Sequence, residues 1–150
     1  MKILIIEDDP NKLNQIKTFI NELYNDDVYE IAQSYQSGLK HIYTQSPDLI
    51  ILDMSLPTYD ITPDEDGYKF RRLAGLDILS ELKRKKKKEK IIVVTQFETF
   101  GEGLNYIELK DLKTKMEVEY SDNYIDTVYY NPAQDEWKAR LKIIIDNNLK

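Results

Sequence analysis

Short apolar runs alternate along the chain with longer segments whose apolar residues recur at helical spacing. The first, third and fourth runs are almost uniformly apolar, which is typical of strands covered on both faces. Strands that alternate with helices indicate βαβ units and a parallel sheet, with right-handed crossovers. The predicted strands are Lys2–Ile6, Val28–Ala32, Leu49–Asp53, Ile91–Thr95 and Ile125–Tyr130.

The segments between the runs predict helices. Pro10 and Pro132 are each expected to open a helix, because proline fits the first helical turn. Further helices are predicted over Tyr35–Gln45, from Gly75 onwards, and over Ile107–Glu119. The chain is therefore predicted to be an α/β protein of the (βα)5 type, with one domain spanning residues 1–150.

Two stretches interrupt the alternation. Residues 58–74, with Pro63 and an acidic run, are predicted to form a loop inserted after the third strand. Residues 96–124 contain a second insertion, after the fourth strand. The basic run Lys83–Lys88 suits a helix C-terminus electrostatically, and it is interpreted either as a solvated helix end or as a docking patch for an acidic partner.

Composition narrows the possible functions. The 150 residues carry a net charge of -6 and include no cysteine, which argues against a nucleic-acid surface and excludes thiolate chemistry. No apolar run approaches the ~20 residues of a membrane span, and no signal peptide precedes the first strand, so a cytoplasmic protein is expected. His41 is the only histidine and is assigned an ordinary surface or packing role.

Polar side chains stand at the ends of three predicted strands. Glu7 and Asp8 follow the first strand, Asp53 ends the third and Thr95 ends the fourth. In a parallel sheet these ends lie at one edge, where ligands bind. Converging carboxylates need a cation, and an all-oxygen ligand set suits Mg²⁺. Asp9 precedes Pro10 and is predicted to cap the first helix.

This constellation suits an aspartyl-phosphate site. Asp53 would be the nucleophile, and Glu7 and Asp8 would hold Mg²⁺ against the charge of the phosphoryl group. The backbone carbonyl of Ser55 could add a metal ligand, and Thr95 could donate a hydrogen bond to a phosphoryl oxygen.

Five segments carry a resemblance to a known family: Ile3–Pro10, Pro47–Pro57, Gly75–Lys83, Ile91–Thr95 and Asn131–Leu141. The chain resembles the receiver domains of two-component response regulators. The resemblance implies a flavodoxin-like, doubly wound fold with strand order 2-1-3-4-5. It also implies transfer of a phosphoryl group to Asp53 from a histidine kinase or phosphotransfer protein, with Mg²⁺ held by Glu7, Asp8, Asp53 and the Ser55 carbonyl.

The cationic half of the expected site departs from the family pattern. Asn131 stands where the family has a lysine that pairs with the phosphoryl group, and an amide supplies no positive charge. Gln96 is large where the family has a small residue. Arg71 or Arg72, in the first insertion, could supply the missing cation. An Asn131→Lys substitution is accordingly predicted to strengthen the response to phosphorylation.

The switch aromatic of the family is also displaced. Val128 occupies its position, and Tyr129 and Tyr130 follow. Strand alternation places Tyr129 on the opposite face of the sheet.

Three functions remain open from the sequence. The first is a stand-alone receiver, a signalling module rather than an enzyme, that acts through contact with an unknown effector protein. The second is a pseudo-receiver that binds a protein constitutively, without phosphorylation switching. The third is a Mg²⁺-dependent phosphatase or a flavin-binding protein, which the poor general acid at Ser55 and the acidic turn after the first strand disfavour.

Overall fold

The computed structural model describes residues 1–24, 28–61, 69–101 and 103–149. Strands and helices alternate through these residues. Their bounds are β1 (Lys2–Ile6), α1 (Pro10–Leu23), β2 (Val28–Ala32), α2 (Tyr35–Gln45), β3 (Leu49–Leu52), α3 (Ala74–Arg84), β4 (Lys90–Thr95), α4 (Leu109–Glu119), β5 (Tyr124–Tyr129) and α5 (Glu136–Leu149).

The five strands form one parallel sheet with the order β2-β1-β3-β4-β5. In the central register Ile6 pairs with Ala32 on one side and with Leu52 on the other, and Leu52 pairs with Val93 of β4. The C-terminal ends of β1, β3 and β4 therefore lie side by side. The predicted flavodoxin-like topology is confirmed.

Helices cover both faces of the sheet because the strand residues alternate between them. Ile3 and Ile5 of β1 pack with apolar residues of α1 and α5, including Ile16 and Leu141. Leu4 and Ile6 of the same strand pack on the other face, with residues of α2, α3 and α4. Burial of each such side chain contributes about 1.5–3 kcal/mol, and it holds the strand ends in a rigid frame.

The start of α1 confirms the predicted cap. The Asp9 side chain accepts hydrogen bonds from the backbone N–H groups of Asn11 (3.0 Å) and Lys12 (3.4 Å), and Pro10 occupies the first helical position. This cap fixes the direction in which α1 leaves the end of β1. The first turn of α1 therefore lies beside the carboxylates that follow β1.

The start of α5 corrects a prediction. The helix begins at Glu136 rather than at Pro132. The Asn131 side-chain oxygen accepts a hydrogen bond from the Ala133 N–H (3.0 Å), and its carbonyl accepts one from Gln134 (3.2 Å). Pro132 therefore lies in this asparagine turn, before the helix begins.

The insertions contain short antiparallel ladders. Phe70–Arg71 of the first, where a loop is predicted, pairs with Leu56–Pro57 just before it. Thr99–Phe100 pairs with Ile107–Glu108 in the second, so α4 begins two residues later than expected. Pro63 and the acidic run of the first insertion lie outside the described residues.

The third helix begins at Ala74, one residue before the predicted start, and ends at Arg84. Two lysines of the basic run Lys83–Lys88 form ion pairs. Lys88 lies 3.0 Å from Asp122, and Lys87 lies 3.2 Å from Glu89. None of the helices that the structure describes is long and apolar enough to cross a membrane.

Candidate functional site

The sheet brings the predicted carboxylates together. Glu7, Asp8 and Asp53 each place one carboxylate oxygen within 4.8 Å of the oxygens of the other two. Backbone hydrogen bonds extend the parallel pairing one residue past the strands, from the Glu7 N–H to Ala32 and from the Asp53 N–H to Ile6, each at 3.0 Å. Glu7 and Asp53 are therefore held by the sheet itself.

A buried lysine that the sequence analysis did not single out completes the cluster. The Lys12 Nζ atom lies 2.6 Å from Glu7 Oε1 and 3.2 Å from Asp53 Oδ1, and it donates a 2.7 Å hydrogen bond to the Val94 carbonyl. Lys12 is only 1% exposed. The site thus has a cation, delivered by the first turn of α1.

A signal for Lys12 was present in the sequence. Lysine is almost never fully buried unless it is paired. Position 12 lies one turn before Ile16 on the buried side of α1, which also holds Leu13, Phe19 and Ile20. A lysine on the apolar side of a helix, five residues after Glu7, pointed to an interior ion pair.

The electrostatics of the cluster show a shortage of positive charge. Burial, and next the Asp53 carboxylate, raise the pKa of Glu7 to about 8, while Lys12 acts in the opposite direction. Burial and then Asp53 also raise the pKa of Asp8. For Lys12, burial favours the neutral amine, but Asp53 and Glu7 outweigh it and raise the pKa, so the ammonium stays charged. One ammonium does not balance the three acidic groups when all are ionised, and the ionised form of Glu7 is therefore disfavoured.

The contacts described for Asp53 concentrate on one oxygen. Oδ1 accepts a hydrogen bond from the Met54 N–H (2.8 Å) and meets Lys12, and the residue is 6% exposed. Gly75 allows α3 to pack closely behind it, because an added Cβ would lie 3.1 Å from the Asp53 carbonyl oxygen. This arrangement orients the Asp53 carboxylate through its Oδ1 atom.

Thr95 and Ser55 are both buried beside the cluster. Thr95 ends β4, accepts a 3.3 Å hydrogen bond from Phe97 at its hydroxyl, and binds the Tyr130 N–H through its carbonyl (2.8 Å). The Ser55 hydroxyl donates to the Arg72 carbonyl (2.7 Å). This bond ties the segment after Asp53 to the first insertion.

The other candidate cations have different surroundings. The guanidinium of Arg71 pairs with Asp77 (3.2 Å) and lies over the Tyr35 ring, 4.1 Å from its centroid. Arg72 lines a cavity of about 230 Å³ together with Ser55 and with Phe70, Phe97 and Phe100 of the two insertions. The insertions therefore meet beside Ser55.

The β5 end of the site carries a buried tyrosine. Val128 is fully buried and Tyr129 is 46% exposed, in agreement with strand alternation. Tyr130 is buried, and its ring centroid lies 5.8 Å from the Lys12 Nζ atom. The Tyr130 ring packs against Trp137, with 5.2 Å between centroids.

Comparison with known proteins identifies the class. The sequence matches the response regulator receiver domain family over residues 3–110. It is 34% identical over 145 residues to the uncharacterized protein y4jR of Sinorhizobium fredii, and the alignment covers 95% of each chain. It is 28% identical over 143 residues to the Detocs response regulatory protein DtcB of Enterobacter cloacae, covering 94% of this chain and 95% of that one.

Solved structures agree on the fold. The response regulator TrrA of Thermotoga maritima superposes with a TM-score of 0.59 at 22% identity, over 95% of this chain and 97% of the other. The receiver domain of a Luxo repressor protein from Vibrio parahaemolyticus gives a TM-score of 0.62 at 17% identity, over 97% and 90%. The chain belongs to the response regulator receiver domain family, whose members are phosphoacceptor modules of two-component signalling. This assignment favours a signalling module over the phosphatase and flavin-binding alternatives.

Proposed function

We propose that this receiver accepts a phosphoryl group on Asp53 from a histidine kinase or phosphotransfer protein, with Mg²⁺, and signals through contact with an effector protein. The observation that carries the proposal is the convergence of Glu7, Asp8 and Asp53 within 4.8 Å at the ends of two buried strands. The net charge of the chain, -6, favours a protein partner over nucleic acid. We expect the protein to act in the cytoplasm.

The donor set fits the metal. Carboxylates with a backbone carbonyl are the hard oxygen ligands that Mg²⁺ prefers. Glu7, Asp8, Asp53 and the Ser55 carbonyl would hold the ion, and the excess of carboxylates over Lys12 gives a reason for it to bind. When bound, it neutralises charge on the transferring phosphoryl group. TrrA, a solved receiver of the same fold, is described in complex with Mg²⁺ and BeF.

The residues of the chain supply the rest of the transfer. The Asp53 carboxylate attacks the phosphorus, an O–P bond forms, and the bond between phosphorus and the donor nitrogen breaks, with the electron pair leaving on the donor histidine. The Thr95 hydroxyl would donate a hydrogen bond to a phosphoryl oxygen. Asn131 could contact the same group through its amide nitrogen, because its side-chain oxygen is already bound to Ala133.

A small acyl phosphate tests the assignment of Asp53. The protein is incubated with acetyl phosphate and Mg²⁺ and its intact mass is measured. We expect one phosphoryl adduct on the wild type and none on Asp53→Ala. Asp122→Ala, at a fully exposed aspartate that pairs with Lys88, is the matched control and should behave as the wild type. An adduct that persists in Asp53→Ala would contradict the assignment.

A pseudo-receiver is the second candidate, and one observation favours it. Lys12 already pairs with Glu7 and Asp53, so an internal cation offsets part of the charge that a metal would neutralise. A pseudo-receiver would form no adduct with acetyl phosphate and would show no Mg²⁺-dependent change in stability. Both results together would establish it over the phosphoacceptor.

A further inference from the structure

We propose that Lys12 is the phosphoryl-binding cation of this receiver and that α1 supplies the charge which Asn131 cannot. The inference rests on the proposed function and names a further residue of the same site. It assigns a role to a lysine on the first helix, in place of one before the last helix.

The contacts of the ammonium place it among the groups that react. Its three donors meet Glu7 after β1, Asp53 after β3 and the Val94 carbonyl in β4. The Nζ atom is already 3.2 Å from Oδ1 of the acceptor carboxylate. An aspartyl phosphate carries about -1.5 to -2 of charge in place of the single charge of the free carboxylate, and the ammonium can follow that charge by exchanging one contact for a phosphoryl oxygen.

The burial of Lys12 argues against a role in packing alone. Removing ions from water is costly, and apolar residues of similar volume often serve a protein core as well or better. Position 12 belongs to the apolar side of α1, where the neighbouring buried positions are Leu13 and Ile16. A charged group at such a position is explained by the chemistry of the site that it faces.

Two of the other candidate groups are already engaged in contacts of their own. The side-chain oxygen of Asn131 is bound within its own turn, and Arg71 is paired with Asp77. Lys12, by contrast, lies 3.2 Å from Asp53 Oδ1.

Trp137 provides an optical reporter. Lys12 lies over the Tyr130 ring, Tyr130 packs on Trp137, and the chain has one tryptophan. Movement of the ammonium toward a phosphoryl group changes the surroundings of this aromatic pair. We therefore expect Trp137 fluorescence to change when wild-type protein is phosphorylated.

The test compares Lys12→Met with Lys17→Met, a partly buried lysine of the same helix. The initial rate of adduct formation with acetyl phosphate and Mg²⁺ is measured by intact mass, with circular dichroism as the check on folding. We expect Lys12→Met to react at least about tenfold more slowly, and Lys17→Met to stay within about twofold of wild type. The double variant Lys12→Met/Asn131→Lys should recover rate, because it returns an ammonium from the other side of the site.

That rescue separates phosphoryl binding from a structural role, since Asn131→Lys does not rebuild the contacts of Lys12 with Glu7 and Val94. Wild-type rates in Lys12→Met would overturn the inference while leaving the proposed function intact. Absence of an adduct on the wild type would overturn both.

A measurement on the wild type covers the case in which Lys12→Met does not fold. In protein labelled with ¹⁵N at lysine Nζ, the buried ammonium gives a signal protected from solvent exchange. Adding Mg²⁺ with beryllofluoride, a phosphoryl analogue, should shift that signal beyond the shift caused by Mg²⁺ alone. No additional shift would overturn the inference.

Discussion

The two connections that flank the site, β1 to α1 and β5 to α5, differ in what they place there. The first carries Glu7, Asp8 and, one helical turn on, Lys12, so that one short segment supplies both signs of charge. The second forms an uncharged asparagine turn in which the Asn131 side chain accepts a hydrogen bond from the Ala133 N–H, and α5 begins only at Glu136. The polar chemistry is concentrated on one side of Asp53.

This difference shows that the fold does not dictate which element supplies a charge. The parallel sheet brings the ends of β1, β3 and β4 to one edge, so any element that leaves this edge can direct a side chain at Asp53. The cap at Asp9 directs α1 so that its first turn does so. A lysine there can meet the same electrostatic need as one before α5.

The largest expected effect is on stability, from breaking the buried ion pair. Lys12→Met leaves Glu7 and Asp53 buried without their ammonium, and loss of one partner of a buried pair costs about 3–5 kcal/mol. Urea denaturation of the metal-free protein should show this loss, while Lys17→Met should stay within about 0.5 kcal/mol of wild type. A metal-free Lys12→Met protein as stable as wild type would mean that the pair is not maintained in solution.

Magnesium should reduce the loss. An ion that binds only the folded state stabilises it by about 2.7 kcal/mol at a hundredfold excess over its Kd. Because Lys12→Met has no ammonium to offset its carboxylates, we expect Mg²⁺ to bind this variant more tightly than wild type. Isothermal titration calorimetry measures both affinities. Equal or weaker binding of Mg²⁺ to the variant would show that the ammonium and the metal ion do not neutralise the same carboxylates.

A smaller effect is expected at Asp8. Burial and Asp53 raise the pKa of this carboxyl, so its ionised form is disfavoured in the folded protein. Asp8→Asn removes the repulsion and should stabilise the metal-free protein by less than about 1 kcal/mol, because solvent screens this partly exposed carboxyl. Asp9→Asn changes the charge equally but keeps a good cap, and should have little effect. If Asp9→Asn raises the stability of the metal-free protein and Asp8→Asn leaves it unchanged, this interpretation is wrong.

The sheet and its acidic edge could be predicted because they follow from local patterns. Uniformly apolar runs such as Leu49–Leu52 identify central strands, and their register brings Glu7 and Asp53 together. The cap at Asp9 was equally clear, since aspartate before proline has few other roles at a helix start.

Other features could not be predicted because they depend on tertiary contacts. The position of Lys12 at the site could not be predicted in this way. It depends on the first turn of α1 facing the end of β4, where Lys12 donates a hydrogen bond to the Val94 carbonyl. The ladders at the insertions pair segments such as Leu56–Pro57 and Phe70–Arg71, which are too short to show a strand pattern. The helix start predicted at Pro132 is wrong because the neighbouring Asn131 forms a turn through its side chain.

The smallest expected effect is at Asn131. Asn131→Ala removes the hydrogen bond to the Ala133 N–H, and should cost about 0.5–1.5 kcal/mol of stability. Asn131→Asp keeps the acceptor oxygen and should preserve the turn. If Lys12 carries the cationic role, Asn131→Ala loses only an uncharged donor and should be phosphorylated by acetyl phosphate faster than Lys12→Met, measured by intact mass on folded protein. A reaction as slow as that of Lys12→Met would place part of the chemistry back in the β5–α5 connection.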